Sequence, residues 1–306
     1  MTTRAHLRCG DDLRPRLEAA GIAGAYFCIA DPVCQGPAQD NDGLLGWLGR
    51  RARFVALHAR VPLAEAHARL AREYQALYGL GRFDEVWLWF EHDLWDQATL
   101  LRVLSILAPL QALRGKLFLM PADGRRVFPE LGDSELAALR PAPLTDEQME
   151  AAEFAWHAFT DEDPRLLDVL VRKPQPLPFL AAALRRHLMD LPWTTDGLAL
   201  TERQLLHAVR VGAEDWRQAF AAMRPRDAVF HVTDLIVQDH IRRLREGPLR
   251  LLERNDPLRL TPRGLTVLEG RERHRPAPRF HAGAVVRPDP PWRWDPRRAG
   301  VKGGGE

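Results

Sequence analysis

Trp89-Phe90-Glu91-His92-Asp93-Leu94-Trp95-Asp96-Gln97 is the stretch that decides the fold. Before it, Val86 to Phe90 is an unbroken apolar run. At Glu91-His92-Asp93 the run stops, and from Asp96 a helical pattern continues to Leu107. A buried strand of an α/β sheet ends in this way, delivering polar side chains to the rim of the sheet. Two carboxylates and an imidazole directly after such a strand mark where to look for function.

Upstream, Ala5 to Arg8 reads as a strand, Gly10-Asp11-Asp12 as a turn and Leu13 to Ala20 as a helix. Ala25 to Ala30 then reads as a second, fully apolar strand ended by Asp31-Pro32. Strand, helix, strand is the opening of a βαβ unit. Gln35 to Gly46 is a loop rich in Gly, Asp and Pro. Leu44 to His58 and Leu63 to Tyr78 carry i, i+3, i+4 apolar spacing and predict two helices. Glu85 to Phe90 and Lys116 to Met120 are the third and fourth strands. Residues 1–130 are therefore expected to form a mainly parallel, Rossmann-like sheet with flanking helices.

After Ser134 the strand signal fades, and 131–200 reads as a helical connector. Thr145-x-x-Gln148 caps a helix to about Phe159, and further helices are expected over Arg165–Arg172 and Phe179–Asp190. Residues 201–270 read as a winged-helix-like module. Thr201 would cap Glu202–Val211, Ala213–Met223 would follow, and Thr233 would cap Asp234–Glu246, ended by Gly247-Pro248. Two extended pieces, Leu249–Glu253 and Leu258–Leu260, would precede a closing helix from Thr261. Residues 271–306 form an Arg- and Pro-rich tail without periodicity, expected to dock through Trp292 and Trp294.

The 306 residues carry 46% hydrophobic and 27% charged side chains, an ordinary globular composition. The net charge is +2, but His240 to Glu306 holds 16 Arg and Lys against 8 Asp and Glu. Only three lysines occur (Lys116, Lys173 and Lys302), an arginine bias of the kind a GC-rich bacterial genome produces. No G-x-x-x-x-G-K-[ST] loop is present, which excludes a P-loop NTPase, and Gly10-Asp11-Asp12-Leu13 is not a dinucleotide fingerprint. Cys9, Cys28 and Cys34 lack metal or disulfide spacing and read as reduced thiols. Cys28 is expected to be inert core, and Cys34 a loop thiol without an evident base. The N-terminal residues show no signal-peptide core and no apolar run is long enough to span a membrane, so a cytoplasmic location is expected.

The candidate chemistry follows from where strands end. Asp11 and Asp12 follow the first, Asp31 the second, and Glu91, His92 and Asp93 the third. In a parallel sheet these ends converge on one crevice. Glu91, His92, Asp93 and Asp11 are then the catalytic candidates, with Asp31, Asp12, Asp96 and Gln97 as substrate-binding partners. Such acids would suit Mg²⁺ or Mn²⁺, with His92 as ligand or acid/base, acting on a phosphoester. The competing reading is structural: Asp11, Asp12, Asp93 or Asp96 as helix caps, and Asp31 as a turn residue before proline.

Gly10-Asp11-Asp12-Leu13, Asp31-Pro32 with Gly36-Pro37, and above all the W-F-E-H-D-L-x-D-Q string resemble the bacterial domain of unknown function 1835 family over residues 5–125. The resemblance implies the α/β fold and the place of its site, but no reaction. The family pattern is G-D-S at the first position and D-x-L-x-x-G-P at the second. Here Asp12 replaces the serine and Val33 the leucine, so Asp11 carries over better than Asp12. The helical C-terminal half resembles the region that often accompanies this domain.

Two functions are compatible with these residues. One is a nucleotide- or phosphoester-directed enzyme using the acid/His crevice. The other is a ligand-sensing or regulatory protein, a homo-oligomer among its possible forms, whose winged-helix-like module contacts a protein or DNA. In that module the N-terminal half of the recognition helix carries Asp234 and Asp239, which repel phosphate and disfavour DNA.

Overall fold

The computed structural model describes residues 2–227, 229, 233–247 and 249–303; the expectations that involve Met1, Pro248 and residues 304–306 fall outside them. The first six strands are β1 (Arg4–Arg8), β2 (Ala25–Cys28), β3 (Gly36–Pro37), β4 (Glu85–Trp89), β5 (Leu117–Leu119) and β6 (Ala142–Pro143). All except β3 form one sheet in the order β2-β1-β4-β5-β6. The pairings among β2, β1, β4 and β5 are parallel, and β6 closes the edge antiparallel to β5. The protein is thus mixed α/β with a mainly parallel five-stranded sheet.

Alternation along the strands assigns the two faces. Ala5 and Leu7 of β1 and Val86 and Leu88 of β4 belong to the large core. Trp89, the next residue on the other side, joins Leu13, Leu17, Met120, Phe128 and Leu136 in a smaller core beneath the sheet. The small face is covered by α1 (Arg14–Ala19) and α5 (Asp133–Ala138). The large face carries α2 (Gly43–Ala59), α3 (Leu63–Tyr78) and α4 (Leu94–Leu107), with α6 (Asp146–Thr160), α7 (Arg165–Leu170) and α8 (Leu180–Leu188) packed outside them. Twelve of the 14 residues of α4 are buried, because it is covered by the sheet on one side and by α6 and α8 on the other.

The core does not break at residue 130. One apolar cluster runs from Ala5 to Leu191 and takes in Ala282, Val286 and Trp294. A second lies within α9 (Leu200–Arg210), α10 (Trp216–Met223), α11 (Asp234–Arg245) and α12 (Pro262–Leu268).

Several expectations need correction. β2 is half-buried throughout rather than a core strand, because it lies at the sheet edge. The sheet extends past residue 130 to β6, a two-residue strand too short and proline-bearing to show alternation. Thr201 does not cap its helix. The helix begins at Leu200, and Thr201 instead gives its amide and its hydroxyl to the Asp190 carboxylate at 2.8 and 2.9 Å. The helix expected from Ala213 starts at Trp216, where the Asp215 carboxylate accepts from the Gln218 amide. Among the described residues, the two extended pieces after α11 reduce to a single bridge between Leu252 and Leu260.

The tail is ordered by tertiary pairing. β7 (Arg279–Ala282) pairs with β8 (Ala284–Val286) and with β3, and β9 (Trp292–Asp295) pairs with β10 (Gly300–Gly303). Trp294 is 3% exposed, and its amide donates to the Pro192 carbonyl at 3.0 Å. Among the described residues no helix is long and apolar enough to cross a membrane.

Candidate functional site

The W-F-E-H-D-L-x-D-Q string folds into a turn that binds itself. Glu91 is 2% exposed; its Oε1 accepts from the Phe128 amide at 2.6 Å and from Arg8 Nη1 at 3.0 Å. Asp93 is the N-cap of α4 and accepts from the Asp96 amide at 2.9 Å, so that α4 starts two residues before the sequence pattern predicts. Asp96 Oδ2 accepts from the Glu91 amide at 2.6 Å, and its Oδ1 accepts from the Cys9 thiol. Gln97 Nε2 donates to the Glu91 carbonyl at 2.5 Å. Trp89 Nε1 donates to His6 Nδ1 at 3.1 Å. His92 is half-buried with its ring edge-on to Phe179, and its Nδ1 has no hydrogen-bond partner among the described residues.

The cation of this acid cluster is Arg8, which the sequence reading passed over as a strand end. Its guanidinium is 5% exposed and grips Asp12 through Nε and Nη2 at 2.9 and 3.0 Å, while Nη1 lies 3.0 Å from Glu91 and 3.7 Å from Asp96. Burial pushes the Glu91 and Asp96 carboxyls upward; Asp96 adds to the first and Asp93 to the second, and Arg8 pulls both back. Burial also raises Asp93, to about 6. Asp11 and Asp12 are exposed, paired with Arg14 and Arg8 respectively. Of the eight residues expected in one crevice, Asp93, Asp96 and Gln97 spend polar atoms on the β4–α4 turn, and Glu91 ties that turn to Arg8 and to the Phe128 amide. Among the described residues no group of three or more His, Cys, Asp or Glu side chains stands where it could hold a metal.

Asp31 belongs to a separate network. It is 0% exposed, accepts from Arg51 Nε at 2.8 Å and from the Tyr74 hydroxyl at 2.8 Å, and so offers no oxygen to a substrate. Arg51, equally buried, also donates to the carbonyls of Pro32, Gln35 and Pro37. Asp31 therefore holds the loop after β2 through Arg51. Gly36 completes that loop: its φ is +72°, and an added Cβ would lie 2.4 Å from the Phe54 ring. Cys34, on the same loop, is 4% exposed, and burial pushes its thiol up, which leaves it unreactive.

This loop forms one side of a cleft, a cavity of about 510 Å³ between the α/β body and the C-terminal elements. Helix α2 supplies one wall with Arg50, Arg53, Phe54, Leu57 and His58, the i, i+3, i+4, i+7, i+8 face of a helix. The adjoining face, with Trp47, Leu48, Ala52 and Val55, is in the core. Opposite stand His240, Arg242 and Arg243 of α11 and Arg279, Phe280 and His281 of β7, with His187 and Asp190 at the end of α8. The rings of His187 and His281 stack 3.8 Å apart.

Most of the cleft's charge is internally matched. Arg50 pairs with Asp42, and Asp239 holds Arg242 and Arg243 at 2.6 and 2.8 Å and lies 3.6 Å from His58. Two arginines are not matched. Arg53 is exposed, with no ion-pair partner among the described residues. Arg279 donates to the Asp190 carbonyl at 2.7 Å, but its Nε is buried without an acceptor and no described carboxylate reaches ion-pair distance. Burial lowers its basicity, with Glu202 working the other way. His240 is 6% exposed, its Nδ1 has no hydrogen-bond partner among the described residues, and burial followed by Arg243 holds it down to about 4, so it faces the cleft neutral.

The sequence proposes none of the cleft's cationic residues as a site residue; Arg242 and Arg243 read only as the basic end of the candidate recognition helix. The cleft's cations come from α2, α11 and the tail, and no local pattern joins segments nearly 200 residues apart. The one available signal was the basic surplus after His240. No family model matches the chain, and no curated protein matches it.

Proposed function

We propose that the protein binds a small anion of the phosphoester class in the cleft between α2 and the α11–β7 wall, and that it works as a ligand-sensing protein. The observation that carries this is Arg279, a guanidinium in the cleft wall whose buried Nε has no acceptor and which forms no ion pair among the described residues, with Glu202, Asp190 and Asp239 acting on it only from beyond ion-pair distance. A buried cation without a counter-ion is costly unless an anion completes it. Arg53 across the cleft supplies a second unmatched charge. Glu91, Asp96 and Asp31 are assigned to scaffolding, so the proposal routes no chemistry through the acid cluster and needs no Mg²⁺ or Mn²⁺.

Sensing is favoured because the cleft walls come from both cores. We read residues 1–130 as Rossmann-like, supported by the parallel order in which β1 lies between β2 and β4, and retain the proposed kinship with the domain 1835 family on its W-F-E-H-D-L-x-D-Q string. We read α9 to α12 with the Leu252–Leu260 bridge as winged-helix-like. The face of α11 bearing Asp239 lies against His58 of α2, which supports docking on the protein's own body over DNA contact. An anion pulled between Arg53 and Arg279 would draw the two bodies together.

Isothermal titration of the full chain with pyrophosphate and ribose 5-phosphate tests the proposal. Saturable binding that weakens with salt and is lost in Arg279→Met and in Arg53→Ser is expected. No binding of either probe, or equal binding by both variants, overturns it.

A further inference from the structure

Resting on the anion-binding reading above, we infer that the ligand of the cleft is a nucleotide, its phosphate held by Arg279 and Arg53 and its base lying on an apolar lip made by Phe54, Leu57 and Phe280. The first observation is size. A phosphate group alone would leave most of a 510 Å³ cavity empty, whereas that volume falls within the range that encloses a small organic ligand, about 300–1,000 Å³.

The second observation is the pairing of chemistries on one helix face. Arg50 and Arg53 share one face of α2 with Phe54 and Leu57, so cationic and apolar groups open on the same space. Leu57 is 71% exposed and Phe280, on the opposite wall, 50%. Large apolar side chains left open at the mouth of a basic cleft mark a ligand with an apolar face as well as a charge. A purely hydrophilic anion such as a sugar phosphate would gain nothing from them.

The third is the arrangement of β7. Side chains alternate along a strand, so Arg279 and His281 point one way and Phe280 the other. The observed burial agrees: His281 is buried and Phe280 exposed. Phosphate is thereby placed at the inner end, near Arg279 and the neutral His240, and the base at the outer lip. The Phe54 and His58 rings, whose centroids are 4.0 Å apart, both line the cleft and give that lip its aromatic character. Base–aromatic contacts of this type tolerate any base, because each has a π-face, so purine and pyrimidine nucleotides should both bind.

The test compares AMP, GMP, UMP, ribose 5-phosphate and adenosine by isothermal titration on the full chain. The nucleotides should bind at least tenfold more tightly than ribose 5-phosphate, and adenosine weakly. Phe280→Ser and Leu57→Ser, both at exposed positions, should each weaken AMP at least fivefold while leaving ribose 5-phosphate unchanged. Arg53→Ser should weaken both phosphorylated probes. Equal affinity for AMP and ribose 5-phosphate, or AMP binding indifferent to both serine variants, overturns the nucleotide assignment and leaves the anion site standing. Failure of every phosphorylated probe overturns both.

Discussion

Replacing Arg8 by methionine would leave two buried carboxylates without their cation. Glu91 and Asp96 have side chains only 3% and 4% exposed, and Arg8 Nη1 lies 3.0 and 3.7 Å from them. Removing one member of a buried ion pair typically costs about 3–5 kcal/mol, since the other charge is left desolvated. Against a total stability of about 5–15 kcal/mol for a folded protein, that is a large fraction. The loss must depend on pH, and the sign can be worked out. Both carboxyls are raised in the folded chain, Glu91 from 4.5, so the folded state holds protons that the unfolded state releases. Such groups contribute stability that is present below the unfolded pKa and lost as pH rises through the folded one. Without Arg8 the folded values climb further, and the fall with rising pH steepens. Urea denaturation of Arg8→Met should therefore show a deficit of about 3–5 kcal/mol at pH 8 that shrinks at pH 5, where the acids are neutralised by protons. A deficit equal at both pH values, or below about 1 kcal/mol at pH 8, would refute the assignment of Arg8 as the counter-ion of this cluster.

Asp31→Asn leaves the fully buried Arg51 without a carboxylate and should lower stability by about 3–5 kcal/mol in urea; an unchanged midpoint would return Asp31 to the ligand-binding candidates. Gly36→Ala puts a Cβ into the Phe54 ring at a positive φ, and should lower the melting temperature and distort the cleft loop. Trp294→Ala empties a 3%-exposed site and should cost about 3–5 kcal/mol by thermal denaturation, which a merely trailing tail would not show. His6 is held down to about 4 by burial, so its share of stability is lost as pH falls from 6.5 toward 4; His6→Asn, which keeps an acceptor for Trp89, should flatten acid denaturation across that window.

Much of the architecture was legible in the sequence because it rests on local patterns. The alternation at Ala5–Arg8, the apolar run Val86–Phe90, the helical spacing from Leu63 to Tyr78 and the Thr145–Gln148 capping box each need only a few neighbouring residues to be read, and each became the expected element. Where a reading failed, a distant partner had outbid the local signal. Thr201 looks like a cap, but Asp190 takes its hydroxyl and amide. β7 has no alternation of its own and is made a strand by β3 and β8.

The site divides in the same way. By itself the sequence determined that polar groups leave the third strand abruptly at Glu91, because a buried strand must end where charge begins. It also placed the end of the second strand at Asp31-Pro32, with a loop rich in Gly, Asp and Pro after it. Only the tertiary structure decided what those groups do. An acid at a strand end serves a ligand or a neighbour according to which cation reaches it first, and Arg8 and Arg51 lie within hydrogen-bond reach of Glu91 and Asp31. The same structure left Arg53 and Arg279 unmatched across one cleft, a pairing of residues more than 200 positions apart that no periodicity encodes.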